Sequence, residues 1–236
     1  MNTMNKKISF TYDTKAHELI SSYYPSLLIM NRFGIPLGVG DFTIYDICKK
    51  HNVDIDTLFL VLKTTRDETY HPKDAELSKV SLDSLITYLN KSHQYFLDFR
   101  LPKLREQLIE AIKDCPREIS IAIEKFFDEY VIEVHKHMGY EDSTVFTYAK
   151  NLENGIDTNS YNIGIFSRRH DQIEQKITEL KNIIIKYYPP TTNHNLTLVI
   201  NYIFACEEDL AAHNRVEDFI FIPYIRVLEN NVKQKK

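Results

Sequence analysis

His137 and Glu141 stand four residues apart in "EVHKHMGYEDSTVF", and His213 and Glu217 stand four apart in "HNRVEDFIF". On a helix such a pair shares one face, so each segment aims an imidazole and a carboxylate in the same direction. His93 precedes His137 by 44 residues and His170 precedes His213 by 43, so a unit of His followed by His-x3-Glu occurs twice. Four imidazoles and two carboxylates supply two histidines for each of two metal ions, with Glu141 and Glu217 as bridges. Mixed nitrogen and oxygen ligation with open positions suits di-iron or di-manganese better than a closed structural zinc. A third pair, His170 with Glu174, has the same spacing, but Glu174 is assigned outside the ligand set.

These residues need helices to position them, and the sequence reads as all-α. Glycine is scarce at 6 residues, long i, i+3, i+4 patterns run through the chain, and the breaks fall at Pro, Gly or Asn clusters. A small helical domain is expected over 10–67, with helices near 14–31, 43–51 and 54–65. Thr43 with Asp46 suits a capping box, and Asp54 and Asp56 suit the next helix start. The polar segment 68–80 reads as a linker, and 81–230 as an antiparallel four-helix bundle. Its helices are expected near 81–113, 116–150, 167–188 and 194–229, with a kink or break at Pro102.

Each long helix carries an apolar stripe, and each stripe is interrupted by a histidine. The first runs Leu82, Leu85, Leu89, His93, Phe96, Leu97 and Leu104; the second Ile119, Ile123, Phe126, Tyr130, His137, Glu141, Val145 and Tyr148. The third runs Phe166, His170, Ile173, Ile177, Leu180 and Ile184; the fourth Leu196, Val199, Ile203, Leu210, His213, Glu217, Ile220 and Tyr224. Two carboxylates on core-facing stripes cost several kcal/mol each unless something positive meets them, and lysine and arginine are nearly absent there. A metal is the compensating charge this pattern implies. The neighbouring ionisable groups read otherwise: Glu133, His135 and Asp142 face solvent, Glu207, Glu208 and Asp209 form exposed charge, and His17, His51, His71 and His194 are not ligands.

A net charge of −4 gives no clustered basic surface for nucleic acid or an anionic membrane. The N-terminal "MNTMNKKISFTYD" lacks the apolar run of a signal peptide and no stretch is long enough to span a membrane, so a cytoplasmic location is expected. Cys48, Cys115 and Cys206 are scattered, without a CxxC, and are expected to be reduced thiols, with Cys206 in the core.

The stretches "HMGYEDSTVF", "RRHDQIEQ", "AAHNRVEDFIFIP" and "SHQYFLDFRLPKL" resemble the hemerythrin-like domain of the repair-of-iron-centres family, di-iron proteins of nitrosative and oxidative stress. "YYPSLLIMNRFGIPLGVGDFTIYDICKKHNVDIDTLFLVL" looks like that family's short N-terminal domain. The resemblance places the metal-binding histidines on His93, His137, His170 and His213 and the bridging carboxylates on Glu141 and Glu217. It implies two non-haem, oxo-bridged irons, with manganese or zinc as substitutes. Oxygen-carrying hemerythrins have a fifth histidine and an aspartate in place of one glutamate, which argues against simple oxygen transport here. The family often carries a Cys-Cys pair before the glycine turn of the N-terminal domain, where this chain reads "IPLGVG".

The resemblance implies protection or repair of iron–sulfur clusters, through nitric oxide reduction or iron donation at the di-iron centre. Its partners would be a small diatomic ligand, NO or O2, and damaged iron–sulfur proteins. The alternative is a module that binds or senses O2 or NO and signals through its N-terminal domain. A metal-free bundle with polar core residues is the third reading.

Overall fold

A computed structural model describes residues 10–156, 161–168, 171–190 and 192–234. It is all-α; among the described residues the only extended pairing is an isolated antiparallel bridge between Lys15 and Thr43. The chain divides into two compact units, Met1–Leu89 and Asn90–Lys236.

The first unit holds α1 (Ala16–Ser22), α2 (Ser26–Arg32), α3 (Ile44–His51), α4 (Ile55–Arg66), the single turn α5 (Asp74–Leu77) and the start of α6 (Leu82–Gln94). The helix expected over 14–31 is two helices. Tyr23 leaves helical geometry and Pro25, which has no N–H to donate, precedes the second. The capping predictions hold: Thr43 and Asp46 form a reciprocal box on α3, and Asp54 accepts the Thr57 N–H at 2.8 Å at the start of α4. Asp56 instead accepts the Tyr12 hydroxyl at 2.8 Å. Leu19, Ile44, Leu58, Val61 and Leu85 are fully buried and form the unit's interior. Within the segment 68–80, α5 was not expected; it buries Leu77, and Val80 beside it is buried too.

The second unit is built from four helical rods. The first joins α6 through a π-helical turn (Tyr95–Arg100) to α7 (Leu101–Ile112). The second joins α8 (Arg117–Tyr140) through a π turn (Glu141–Val145) to α9 (Phe146–Glu153). The third is α10 (Asp171–Tyr187), preceded by a 3-10 turn (Ile163–Arg168). The fourth joins α11 (His194–Val216) through a π turn (Glu217–Phe221) to α12 (Ile222–Gln234). Contacts close a ring, α7 on α8, α8 on α10, α10 on α11 and α11 on α7, the arrangement of a four-helix bundle.

At Pro102 the rod is not severed. The π turn ends just ahead of it and leaves it as the second residue of α7, where a missing N–H is tolerated. The core runs between the rods through Leu104, Leu108, Phe127, Tyr130, Ile177, Leu180, Ile203 and Leu210, and Cys206 lies within it as expected. Most expected stripe positions are buried, including Leu104, Val145, Tyr148 and Ile220 at or beyond the π turns. Phe127 is buried more deeply than Phe126, Leu101 joins the core after the first π turn, and Ile225 takes the buried place expected for Tyr224.

Candidate metal centre

The two glutamates are the first residues of two π turns, and each follows its histidine by one helical turn. His93 lies on α6 two residues ahead of the remaining π turn. A π turn takes in one residue more than an α turn, and such turns recur where a helix must aim a side chain. The result is a closed group: one ligating atom each from His93, Glu141, His213 and Glu217 lies within 4.8 Å of all the others, and all four residues are buried.

The geometry inside the group is specific. Nε2 of His93 is 3.0 Å from Oε2 of Glu141, and Nε2 of His213 is 3.4 Å from Oε1 of Glu217. The Nε2 atoms of His93 and His213 face each other at 3.3 Å. The other oxygen of Glu141, Oε1, meets Nε2 of His137 at 2.7 Å. Glu141 therefore presents its two oxygens to different histidines, His93 on one side and His137 on the other, as a carboxylate spanning two cation positions would. The His93 ring stacks on Phe146 and the His137 ring on Phe166, with centroids 5.6 and 6.1 Å apart.

Burial opposes charge on His93, but hydrogen bonds to Asp142 and Glu141, with the nearby charges of Glu141 and Glu217, raise its pKa to about 9. Burial likewise pushes the Glu141 carboxyl up, and hydrogen bonds from His137 and His93 more than reverse this, holding it well below the usual carboxylate range. Without a cation, a proton on His93 thus offsets part of the buried negative charge. The donor set fits a divalent transition metal. Facing imidazole nitrogens and carboxylate oxygens converge from three rods, with the Nε2 atoms of His93 and His213 turned toward each other inside the group.

Of the six residues expected at the site, the structure brings His93, Glu141, His213 and Glu217 together and sets His137 against Glu141; His170 lies outside the described residues. Glu174 accepts a hydrogen bond from Asn214 Nδ2 at 2.6 Å and does not join the four-residue group. His135 is exposed. Glu207 is not simple exposed charge, since it binds Lys181 and Thr178 of α10 from α11. Asp142 is exposed, as expected, but its contact is what sequence reasoning missed: its Oδ1 lies 2.6 Å from Nδ1 of His93. The signal was available, since both glutamates are followed by aspartate, Glu141-Asp142 and Glu217-Asp218.

Residues 84–225 match the family model described as the hemerythrin HHE cation-binding domain, which covers more than half of the chain and all of the residues above. The chain belongs to the hemerythrin HHE cation-binding family. No curated protein matches it. As a member of that family with a buried His/Glu group, the chain carries a metal-binding site. No helix among the described residues is long and apolar enough to cross a membrane.

Proposed function

We propose that this hemerythrin-like chain is a cytoplasmic di-iron protein that protects or repairs iron–sulfur clusters under nitrosative or oxidative stress. The observation that carries the reading is the divided aim of Glu141, with one oxygen toward His93 and the other toward His137. One cation position would be held by His93, His213, Glu141 and Glu217, and the other by His137 and Glu141, with His170 assigned to it from the sequence repeat. Two irons bound there would supply redox change and open coordination positions for NO or O2.

The protein's own residues set the conditions for that chemistry. His93, Glu141, His213 and Glu217 are at most 1% exposed, so bulk water is kept from one side of the centre. His137 is about 10% exposed at the side chain and lines a cavity of about 580 Å³ together with Glu133, Lys136, Ile173, Gln175, Lys176 and Glu179. A diatomic ligand reaches the centre from this side. Purified protein should hold about two irons per chain, release or use them to restore an NO-damaged iron–sulfur enzyme, and lose that ability when Glu141 is replaced by Ala. Protein that contains two irons yet leaves the damaged enzyme unrestored would refute the repair function.

One observation favours the sensing alternative. Cys48, the single cysteine of the first unit, is 2% exposed, and burial, with the charge of Asp54, pushes its thiol up to about 12. The first unit therefore offers no reactive thiolate to receive iron. Anaerobic titration with NO separates the readings: turnover or iron loss supports repair, and a stable stoichiometric adduct supports sensing.

A further inference from the structure

We propose that Asp142 is a positioning residue for the metal centre, which fixes the tautomer and ring orientation of His93; the inference rests on the metal-site reading above. The argument begins with helix geometry. A residue one position beyond a helix's inward-facing side chain is turned about 100° away from it, toward the adjoining rod. Glu141 faces the interior of its rod's site, and Asp142 accordingly reaches sideways to the first rod, where Oδ1 lies 2.6 Å from Nδ1 of His93.

The two nitrogens of an imidazole point in nearly opposite directions. Nε2 of His93 faces His213 and Glu141, at 3.3 and 3.0 Å, while Nδ1 faces Asp142, so the aspartate sits behind the ring and not among the converging atoms. With Nδ1–H donating to Asp142, the Nε2 lone pair is directed into the site. A carboxylate behind a ligating imidazole in this way fixes the tautomer and raises the ring's basicity as a ligand. His93 is 1% exposed and has no route to rotate toward water, so the orientation set by this bond is the one it keeps. Asp142 itself is 41% exposed at the side chain, which distinguishes it from the closed group it serves and leaves its substitution tolerable to the fold.

The aspartate is also separate from core packing. Beside it, Glu141 is fully buried and starts the π turn Glu141–Val145, so the backbone at this point is set by the turn and by the buried residues Val145 and Phe146. Removing the Asp142 carboxylate leaves those contacts in place.

The test measures affinity for cobalt(II) as the metal alone, added to metal-free full-length protein. The parent should bind about two equivalents. Asp142→Asn, which retains an oxygen acceptor without the charge, should lower affinity about 10-fold; Asp142→Ala should lower it toward about 100-fold, with helical content unchanged in both. In zinc-loaded protein, proton NMR should show the Nδ1–H of His93 as a strongly hydrogen-bonded, downfield signal in the parent that moves upfield in Asp142→Ala, which a purely structural role would not produce. Parent-like affinity in both variants and an unshifted Nδ1–H signal in Asp142→Ala would overturn the proposal while leaving the metal site standing. Failure of the parent to bind cobalt would overturn the site and the proposal together. Should Asp142→Ala fold poorly, Asp142→Asn decides by the same readings.

Discussion

Metal-free protein should lose stability as the pH rises from neutral to alkaline, and His93 sets the size and the window of that loss. Its pKa is 6.5 when unfolded and about 9 when folded, because the hydrogen bonds to Asp142 and Glu141 outweigh burial. Below 6.5 both states hold the proton and the stabilising contribution is complete. Between 6.5 and about 9 only the folded state holds it, so stability falls; above about 9 the contribution is gone. A shift from 6.5 to about 9, at about 1.4 kcal/mol per unit, corresponds to roughly 3 kcal/mol. Glu141, held well below the usual carboxylate range, stays ionised through the window and adds no slope there. Urea unfolding of metal-free protein at several pH values across this range measures the effect, and a midpoint that is flat or rises over the window refutes the reasoning. Metal competes for the same nitrogen, so affinity should change in the other direction, gaining about tenfold per unit up to the His93 pKa for one displaced proton.

Replacing Glu141 or Glu217 by Ala should reduce metal content below two per chain, whereas Glu174→Ala should keep both metals and lose only the bond to Asn214, at roughly 2 kcal/mol in unfolding experiments; metal analysis of the three variants checks this, and the reverse pattern would exchange the ligand assignment. Among the thiols, Cys48 and Cys206 are buried, with burial pushing both up to about 12, while Cys115 is half-buried. An aromatic disulfide reagent should therefore label one thiol per native chain and three after unfolding; rapid native labelling of all three would contradict the packing described.

The ligand positions were legible in the sequence because a polar residue on an apolar helical stripe is conspicuous, and four stripes carried one at matched intervals. His93, Glu141, His213 and Glu217 needed only the 3.6-residue period and the cost of burying charge to be found. Asp142 was not legible on that argument. A residue beside an inward-facing one falls off the stripe by construction, and the stripe criterion assigns it to water; Asp142 is exposed, but its Oδ1 also reaches His93 on the neighbouring rod. Pro25 was passed over for a related reason, since the apolar periodicity of 14–31 continues through a residue that the backbone cannot use in mid-helix. In the linker, the single turn α5 is too short for periodicity to register.

The π turns account for two of the remaining differences, at Leu101 and Ile225, and connect them to the site; the exchange of Phe127 for Phe126 lies on α8, ahead of its rod's π turn. Each takes in one extra residue, and the core gains Leu101 beyond the first and shifts to Ile225 beyond the last, while Leu104, Val145, Tyr148 and Ile220 stay where regular counting put them. After Glu217 the core continues through Ile220, Phe221 and Ile222 to Ile225, and after Phe96 it resumes at Leu101. Regular helical counting had put Tyr224 in the place of Ile225, and Leu97, expected on the first stripe, packs partly buried against the core. Wide turns have poorer hydrogen-bond geometry than α turns and survive where side-chain placement requires them. Here two of the three begin at the glutamates of the buried group and the third begins two residues past His93, so three rods depart from α geometry beside the same cluster. Pro102 and Pro223 each stand two residues beyond a π turn, at the second position of the α-helix that follows, where they donate no N–H. The added Leu101, the shift from Tyr224 to Ile225 and the convergence of the ligands thus occur at the same local widenings.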